Sequence, residues 1–170
     1  MVNRRTFSFT LVLALAGVLL LLQSTFVAAK GGPKILEFDT MVGVSGVFKG
    51  ATNAIRGVSG AGAAWTVAAA KGELTPDGHL EVKVTGLVFA EGPNIGSNTV
   101  TTFRGLVSCL NATGGTENFL TDPFPATTGP ATSGGGNASI EANLTIPTPC
   151  IAPIVFVTSP GGSWFTVTGG

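Results

Sequence analysis

His79-Leu80-Glu81-Val82-Lys83-Val84-Thr85 alternates apolar and polar residues, and this stretch decides the fold class. The leucine and the two valines point one way while the charged residues point the other, which is the period-two pattern of a half-buried strand. Thr75-Pro76-Asp77-Gly78 precedes it and places Pro and Gly where a type I turn favours them. A weaker alternation begins at Ala64, upstream of the turn. The sequence therefore predicts a β-hairpin over 64–90.

Other stretches carry the same signal. Residues 138–146 alternate still more regularly, and Pro147 and Pro149 end that strand because proline donates no ladder hydrogen bond. In 99–110 the alternation directs the Cys109 sulfur inward. Further candidate strands are 35–41, 42–48, 53–58, 151–158 and 164–168. About seven to nine short strands with regular turn signals predict an all-β, single-domain antiparallel β-sandwich, or a barrel.

Residues 121–136 interrupt this pattern. They contain three prolines and four glycines, which predicts a long loop without regular structure. Long loops in compact domains are often functional or mobile, and a plain connection between sheets is the other interpretation.

The first 29 residues are typical of a cleavable export signal. Arg4 and Arg5 form a positive start, 11–22 are apolar, and Val27-Ala28-Ala29 predicts cleavage before Lys30. The sequence thus predicts a signal peptide over 1–29 and a secreted, extracellular domain over 30–170, with no stable membrane span after cleavage. The arginine pair leaves the twin-arginine and general secretory routes open. An uncleaved signal that anchors the protein to the cell surface is a further alternative.

Charge and composition exclude several partners and favour strands. Without its first 29 residues the chain has seven basic and nine acidic residues and lacks a basic run, so nucleic-acid binding is not expected. The 25 glycines of the whole chain disfavour long helices.

Two cysteines, Cys109 and Cys150, are present. In an exported protein such a pair usually forms a disulfide. Two distant thiols and a single histidine are a poor metal-ligand set, so neither a metal nor another cofactor is expected.

No catalytic constellation is evident. His79, the only histidine, follows a turn and has no predicted nucleophile or orienting acid beside it. Glu81 and Glu141 occupy water-facing strand positions, where carboxylates usually keep a sheet soluble. Glu117 and Asp122 flank the start of the long loop and are the best remaining acidic pair for a hydrolase.

Aromatic residues suggest a contact surface. Trp164 and Phe165 are neighbours on one strand and should point to opposite faces, which would leave one of them outside the core. Together with Phe124 in the long loop they form the candidate contact surface.

The chain resembles, over about 63–169, an uncharacterised family of small exported bacterial proteins of actinobacterial type, which brings no established activity. The segments that carry this resemblance are 86–88, 103–109, 121–126 and 149–165. A weaker resemblance is to the CHRD domain, an extracellular β module, through 74–80 and 84–87. That family continues with closely spaced histidines, which this chain lacks, so its metal chemistry is not implied.

These observations favour a secreted, non-catalytic binding or structural module of the cell exterior. Its expected partner is an extracellular protein or polysaccharide of unknown identity. The alternatives are a small secreted hydrolase that uses acidic residues near 121–136, and a secreted protease inhibitor that presents this loop.

Overall fold

The structure is a computed structural model that describes residues 32–168. The predicted signal peptide over 1–29 lies outside the described residues. The strands are β1 (Leu36–Phe38), β2 (Met41–Gly43), β3 (Trp65–Thr66), β4 (Ala69–Leu74), β5 (His79–Thr85), β6 (Val88–Phe89), β7 (Ser97–Asn98), β8 (Thr102–Leu110), β9 (Thr116–Leu120), β10 (Phe124–Pro125), β11 (Gly129–Pro130), β12 (Ala138–Asn143), β13 (Ile151–Thr158) and β14 (Trp164–Thr168). Short 3-10 turns occupy Gly46–Phe48 and Ala131–Ser133.

Two antiparallel sheets make the body of the domain. The first has the strand order β1-β4-β5-β12, and the second has the order β10-β8-β13-β14-β2 with β9 also paired to β8. Two small ribbons, β3-β6 and β7-β11, complete the pairing. Of the described strands, five are only two residues long; the other nine agree with the predicted number. The all-β sandwich is confirmed.

The core lies where the two sheets face each other. Leu80 and Ile140 of the first sheet are buried. Gly105 on β8 lies so close to them that an added Cβ would sit 2.9 Å from Leu80 Cδ2 and 3.3 Å from Ile140 Cγ2. The apolar faces predicted for 79–85 and 138–146 are therefore the faces that meet the second sheet, although the strand predicted over 138–146 ends at Asn143.

The second sheet is also covered on its far side. Every residue of β14 is buried, although a strand with one solvated face would show alternating exposure. The covering segment starts from the edge of the sheet, where residues 59–61 form a parallel bridge with Trp164: the Trp164 N–H donates to the Ser59 carbonyl and its carbonyl accepts from Ala61 N–H, both at 2.9 Å. Farther across, the Arg56 guanidinium donates to the Ser108 carbonyl on β8 at 3.1 Å.

The predicted strand over 53–58 is wrong. Ile55 and Val58 bond to each other across a tight reversal, and Arg56 adopts a left-handed φ of 49°. This reversal lets the segment fold back over the sheet. The Asn118 side-chain amide on β9 donates to the Arg56 carbonyl at 3.0 Å and holds the turn there.

The prediction that 121–136 has no regular structure also needs correction. The segment contains β10, β11 and the 3-10 turn Ala131–Ser133. Two of its three prolines, Pro125 and Pro130, occur in two-residue strands, where few ladder hydrogen bonds are needed. Within residues 32–168 no helix is both long and apolar enough to cross a membrane.

Candidate functional site

A row of four glutamates crosses the outer face of the first sheet. In the antiparallel register Glu37 of β1 lies opposite Glu73 of β4, Glu73 opposite Glu81 of β5, and Glu81 opposite Glu141 of β12. We call these four residues the acidic row. Like charges that face each other directly destabilise a sheet, so this row is costly unless positive groups compensate it.

Lysine compensates one end of the row. Lys34 Nζ lies 2.7 Å from both Glu37 Oε1 and Glu73 Oε2. The hydrogen bonds with Glu37 and then Glu73 raise the pKa of Lys34 above its ordinary value. Among residues 32–168 neither Glu81 nor Glu141 forms an ion pair with lysine or arginine. The carboxylates without a lysine or arginine partner therefore lie at the β5–β12 end, where Glu81 has the His79 imidazole beside it.

The acidic row borders an open hollow of about 780 Å³ on the outer face of the first sheet. Asp39 adds a fifth carboxylate to its lining, while Lys71 and Lys83, directly opposite each other on β4 and β5, add two ammonium groups. The hollow is wide, charged and predominantly acidic.

His79 closes the β5–β12 end of the acidic row. It follows the Thr75–Gly78 turn, and the alternation of β5 puts it on the same outer face as Glu81. Its Nδ1 lies 3.0 Å from Asn143 Oδ1 on β12, and its Nε2 lies 3.2 Å from Glu81 Oε1. The hydrogen bond with Asn143, followed by that with Glu81, raises the pKa of the imidazole.

The ligand-type atoms of His79, Glu81 and Glu141 all lie within 4.8 Å of one another. One imidazole nitrogen and two carboxylates are ligand types that bind zinc. The local sequence pattern did not predict this cluster, because it placed each of the three residues only as a separate solvent-facing group. The His-x-Glu spacing on an alternating strand was the one signal of this cluster in the sequence. The strand register that brings Glu141 from 60 residues downstream next to Glu81 could not be predicted from it.

The carboxylates predicted for a hydrolase are not brought together. Glu117 lies on β9 opposite Cys109 of the second sheet, and its carboxylate accepts a hydrogen bond from the Asn111 side chain at 2.7 Å. Asp122 follows the end of β9, whereas Glu141 belongs to the first sheet. Neither Glu117 nor Asp122 lines the hollow, whereas Glu141 does.

The predicted aromatic contact surface is wrong for two of its three residues. Trp164 is 2% exposed and Phe165 is 4% exposed. Trp164 lies beside Phe156, and Phe165 stacks on Trp65. Both are buried because residues 53–61 cover the far side of the second sheet as well. Phe124 is half-buried on β10, opposite Phe103.

The disulfide prediction is confirmed. Cys109 and Cys150 are bonded, with their Cα atoms 5.0 Å apart. The bridge lies next to the Leu110–Ile151 pair of β8 and β13. It closes a segment that leaves the second sheet, contributes β12 to the first, and returns.

The segment 121–136 is fastened to the body by buried polar groups. The Asn98 side-chain amide, 1% exposed, donates to the carbonyls of Val100 and Thr127, both at 2.8 Å. Gly136 N–H donates to the Thr127 carbonyl at 2.7 Å, and Leu87 N–H donates to the Gly136 carbonyl at 2.9 Å. The loop is thus held at both ends of its turn.

The chain matches no family model, no curated protein and no solved structure. Its function is therefore inferred from the geometry of the site.

Proposed function

We propose that the chain is a secreted, non-catalytic binding module of the cell exterior, and that the hollow beside the acidic row is its binding surface. The observation that carries this proposal is that Glu81 and Glu141, which pair with no lysine or arginine among residues 32–168, lie opposite each other on an open, exposed sheet face. A sheet retains directly opposed carboxylates at a cost. A ligand that supplies positive charge would relieve that cost.

The partner we propose is a basic segment of an extracellular protein. Five carboxylates against two lysines line the hollow, which favours a cationic ligand through electrostatic complementarity. Flat tryptophan or tyrosine side chains, which polysaccharide-binding faces usually display, do not line it.

Binding of a fluorescent oligolysine peptide tests the surface. With a chelator present, the purified disulfide-bonded protein should bind the peptide at low salt and release it at high salt. Glu81→Gln/Glu141→Gln should weaken binding several-fold. Glu117→Gln/Asp122→Asn removes the same charge from the other sheet and should leave binding unchanged. Equal loss in both variants would show only a general charge effect and would overturn the proposed surface.

Export is the second part of the proposal. The Cys109–Cys150 bridge supports it because disulfides persist in oxidising compartments. Intact mass and N-terminal sequence of the protein from the culture medium and from the membrane fraction test it. A soluble chain that begins at Lys30 and is two hydrogens lighter than its reduced form is expected. A full-length chain in the membrane with free thiols would contradict export with cleavage.

A further inference from the structure

We infer that His79, Glu81 and Glu141 form a binding site for a divalent transition-metal ion of the Zn²⁺ type, with Asn143 as the residue that orients the histidine. This inference goes beyond the proposed function, since it assigns a metal ion rather than the basic segment to the Glu81 and Glu141 end of the same acidic row. Its test uses the metal alone and does not depend on any protein partner.

The sheet register positions the site. His79 and Glu81 are two residues apart on β5, and Asn143 and Glu141 lie directly opposite them on β12. Alternation along both strands sends all four side chains to the outer face. The four residues thus form a two-by-two block on the hydrogen-bonded framework of two adjacent strands.

Asn143 determines which imidazole nitrogen is available. With its Oδ1 at 3.0 Å, the Asn143 side chain accepts a hydrogen bond from His79 Nδ1–H. In the neutral imidazole the lone pair is then on Nε2, which points toward Glu81 Oε1 at 3.2 Å. Two lone pairs at that separation repel unless a proton or a cation lies between them. A metal-bound histidine usually donates its other N–H to an oxygen acceptor in this way.

The ligand spacing suits a small cation. Zinc binds histidine nitrogen and carboxylate oxygen at about 2.0–2.2 Å, so neighbouring ligands of a tetrahedral site are about 3.3–3.5 Å apart. The separation of 3.2 Å between His79 Nε2 and Glu81 Oε1 is already near this value. The Glu141 carboxylate lies within 4.8 Å of both. Glu141 is exposed on β12, so a rotation of its side chain can complete the third ligand.

The charges also favour a cation here. Lys34 pairs with both Glu37 and Glu73 at the other end of the acidic row, whereas Glu81 and Glu141 lie opposite each other without a lysine or arginine partner among residues 32–168. A divalent ion would balance both carboxylates. Three protein ligands leave a fourth position open to water or to a donor group of a bound partner.

Titration of the untagged, disulfide-bonded protein with ZnCl₂ is the test, followed by calorimetry and by ¹⁵N NMR of the imidazole. His79 is the only histidine, so its two ring nitrogens give an unambiguous signal. We expect one Zn²⁺ per chain and a shift of Nε2 to the metal-bound range, while Nδ1 stays protonated.

Variants separate the ligands from the orienting residue. His79→Ala and Glu141→Gln should each weaken Zn²⁺ binding at least tenfold, and Glu117→Gln, which removes a carboxylate from the other sheet, should not change it. Asn143→Ala should weaken binding about 10- to 100-fold and should allow the Nδ1 tautomer to appear. Zn²⁺ binding that persists in His79→Ala, or that leaves Nε2 unshifted, would overturn the inference. So would an absence of saturable Zn²⁺ binding in the wild-type protein, whatever its affinity for the oligolysine peptide.

Discussion

Trp65 on β3 stacks on Phe165 on β14, with ring centroids 3.9 Å apart and an angle of 28° between the ring planes. Phe103 meets both rings edge-on, at 6.5 Å from Trp65 and 5.6 Å from Phe165. Phe89, paired with Trp65 across the β3–β6 ribbon, adds a fourth ring at 4.2 Å. This aromatic cluster joins the small ribbon to the second sheet.

Trp65→Ala should therefore lower the free energy of unfolding by about 3–5 kcal/mol, because it removes a large buried side chain and leaves a cavity. Urea denaturation followed by far-UV circular dichroism measures this loss. Val47→Ala is the control, since Val47 is 69% exposed and should change stability by less than about 0.5 kcal/mol. A similar small effect for both variants would show that the cluster does not stabilise the fold.

Removal of the Cys109–Cys150 bridge should also be costly. The bridge spans 41 residues, and closure of a loop of that length stabilises by about 4 kcal/mol in the chain-entropy model. We expect Cys109→Ala/Cys150→Ala to unfold at markedly lower urea concentration than the wild type. Reduction of the wild-type protein should produce a comparable shift. If neither treatment moves the midpoint, the bridge is not a structural constraint.

Asn98→Asp should loosen the segment 121–136. The substituted carboxylate cannot donate to the carbonyls of Val100 and Thr127, so both part-buried bonds are lost and the Thr127 carbonyl keeps only the bond from Gly136 N–H. The expected cost is about 1–3 kcal/mol, with faster cleavage of the segment in limited proteolysis. Asn94→Asp makes the same chemical change at an exposed position and should have little effect.

This proteolysis also tests the protease-inhibitor alternative. A wild-type segment that a panel of proteases nicks rapidly would contradict that alternative, whereas resistance that is lost in Asn98→Asp would support it. Neither result tests binding at the hollow beside the acidic row, because no residue of 121–136 lines that hollow.

Glu91 should make stability depend on acid pH. The hydrogen bond from Lys49 and then that from the Ala64 N–H lower the pKa of this carboxyl below its ordinary value, with Lys49 Nζ and Ala64 N at 2.7 and 2.9 Å from Oε1. A depressed pKa stabilises the folded state above the pKa of the unfolded chain. That contribution is lost as pH falls through the lower, folded pKa.

Thermal midpoints of the wild type and Glu91→Gln between about pH 6 and pH 2 measure this contribution. The wild type should be the more stable protein at pH 6, and the difference should shrink as the pH is lowered. Lys49→Gln removes the main cause of the lowered pKa. In that background, the difference in thermal midpoint between the protein with Glu91 and the protein with Glu91→Gln should be smaller at pH 6. A difference that is constant with pH would mean that the titration of Glu91 is not linked to folding.

Alternation and turn chemistry were enough to predict the hairpin β4–β5, the strand β12 and the buried faces of both. The second sheet was harder to predict from the sequence. Every residue of β14 is buried, including the adjacent residues Trp164 and Phe165, which point to opposite faces of the sheet. Because the segment that covers the far face was not known from the sequence, the two could not both be assigned to the core. The position of that segment depends on the left-handed backbone of Arg56, on the bond that its guanidinium donates to the Ser108 carbonyl, and on the bond that Asn118 donates to the Arg56 carbonyl, none of which the local sequence pattern encodes.

The candidate metal site shows the same limit. The strand pattern placed Glu81 and Glu141 on solvent-facing positions, and the structure has both there. The approach of Glu141 to His79 depends on the pairing of β5 with β12 in one particular register. A shift of one residue would send Glu141 to the core face, so its proximity to His79 is a property of the tertiary fold.

The covalent ring between Cys109 and Cys150 has a consequence for exchange of strands between molecules. β12 is an edge strand of the first sheet, and an edge strand can in principle be traded for the same strand of a second copy. The segment that carries β12 begins at β8 and ends at β13, which are adjacent strands of the second sheet, and the disulfide joins its two ends. The oxidised protein is therefore restrained from forming swapped dimers through β12, and it is the reduced chain in which such dimers become accessible.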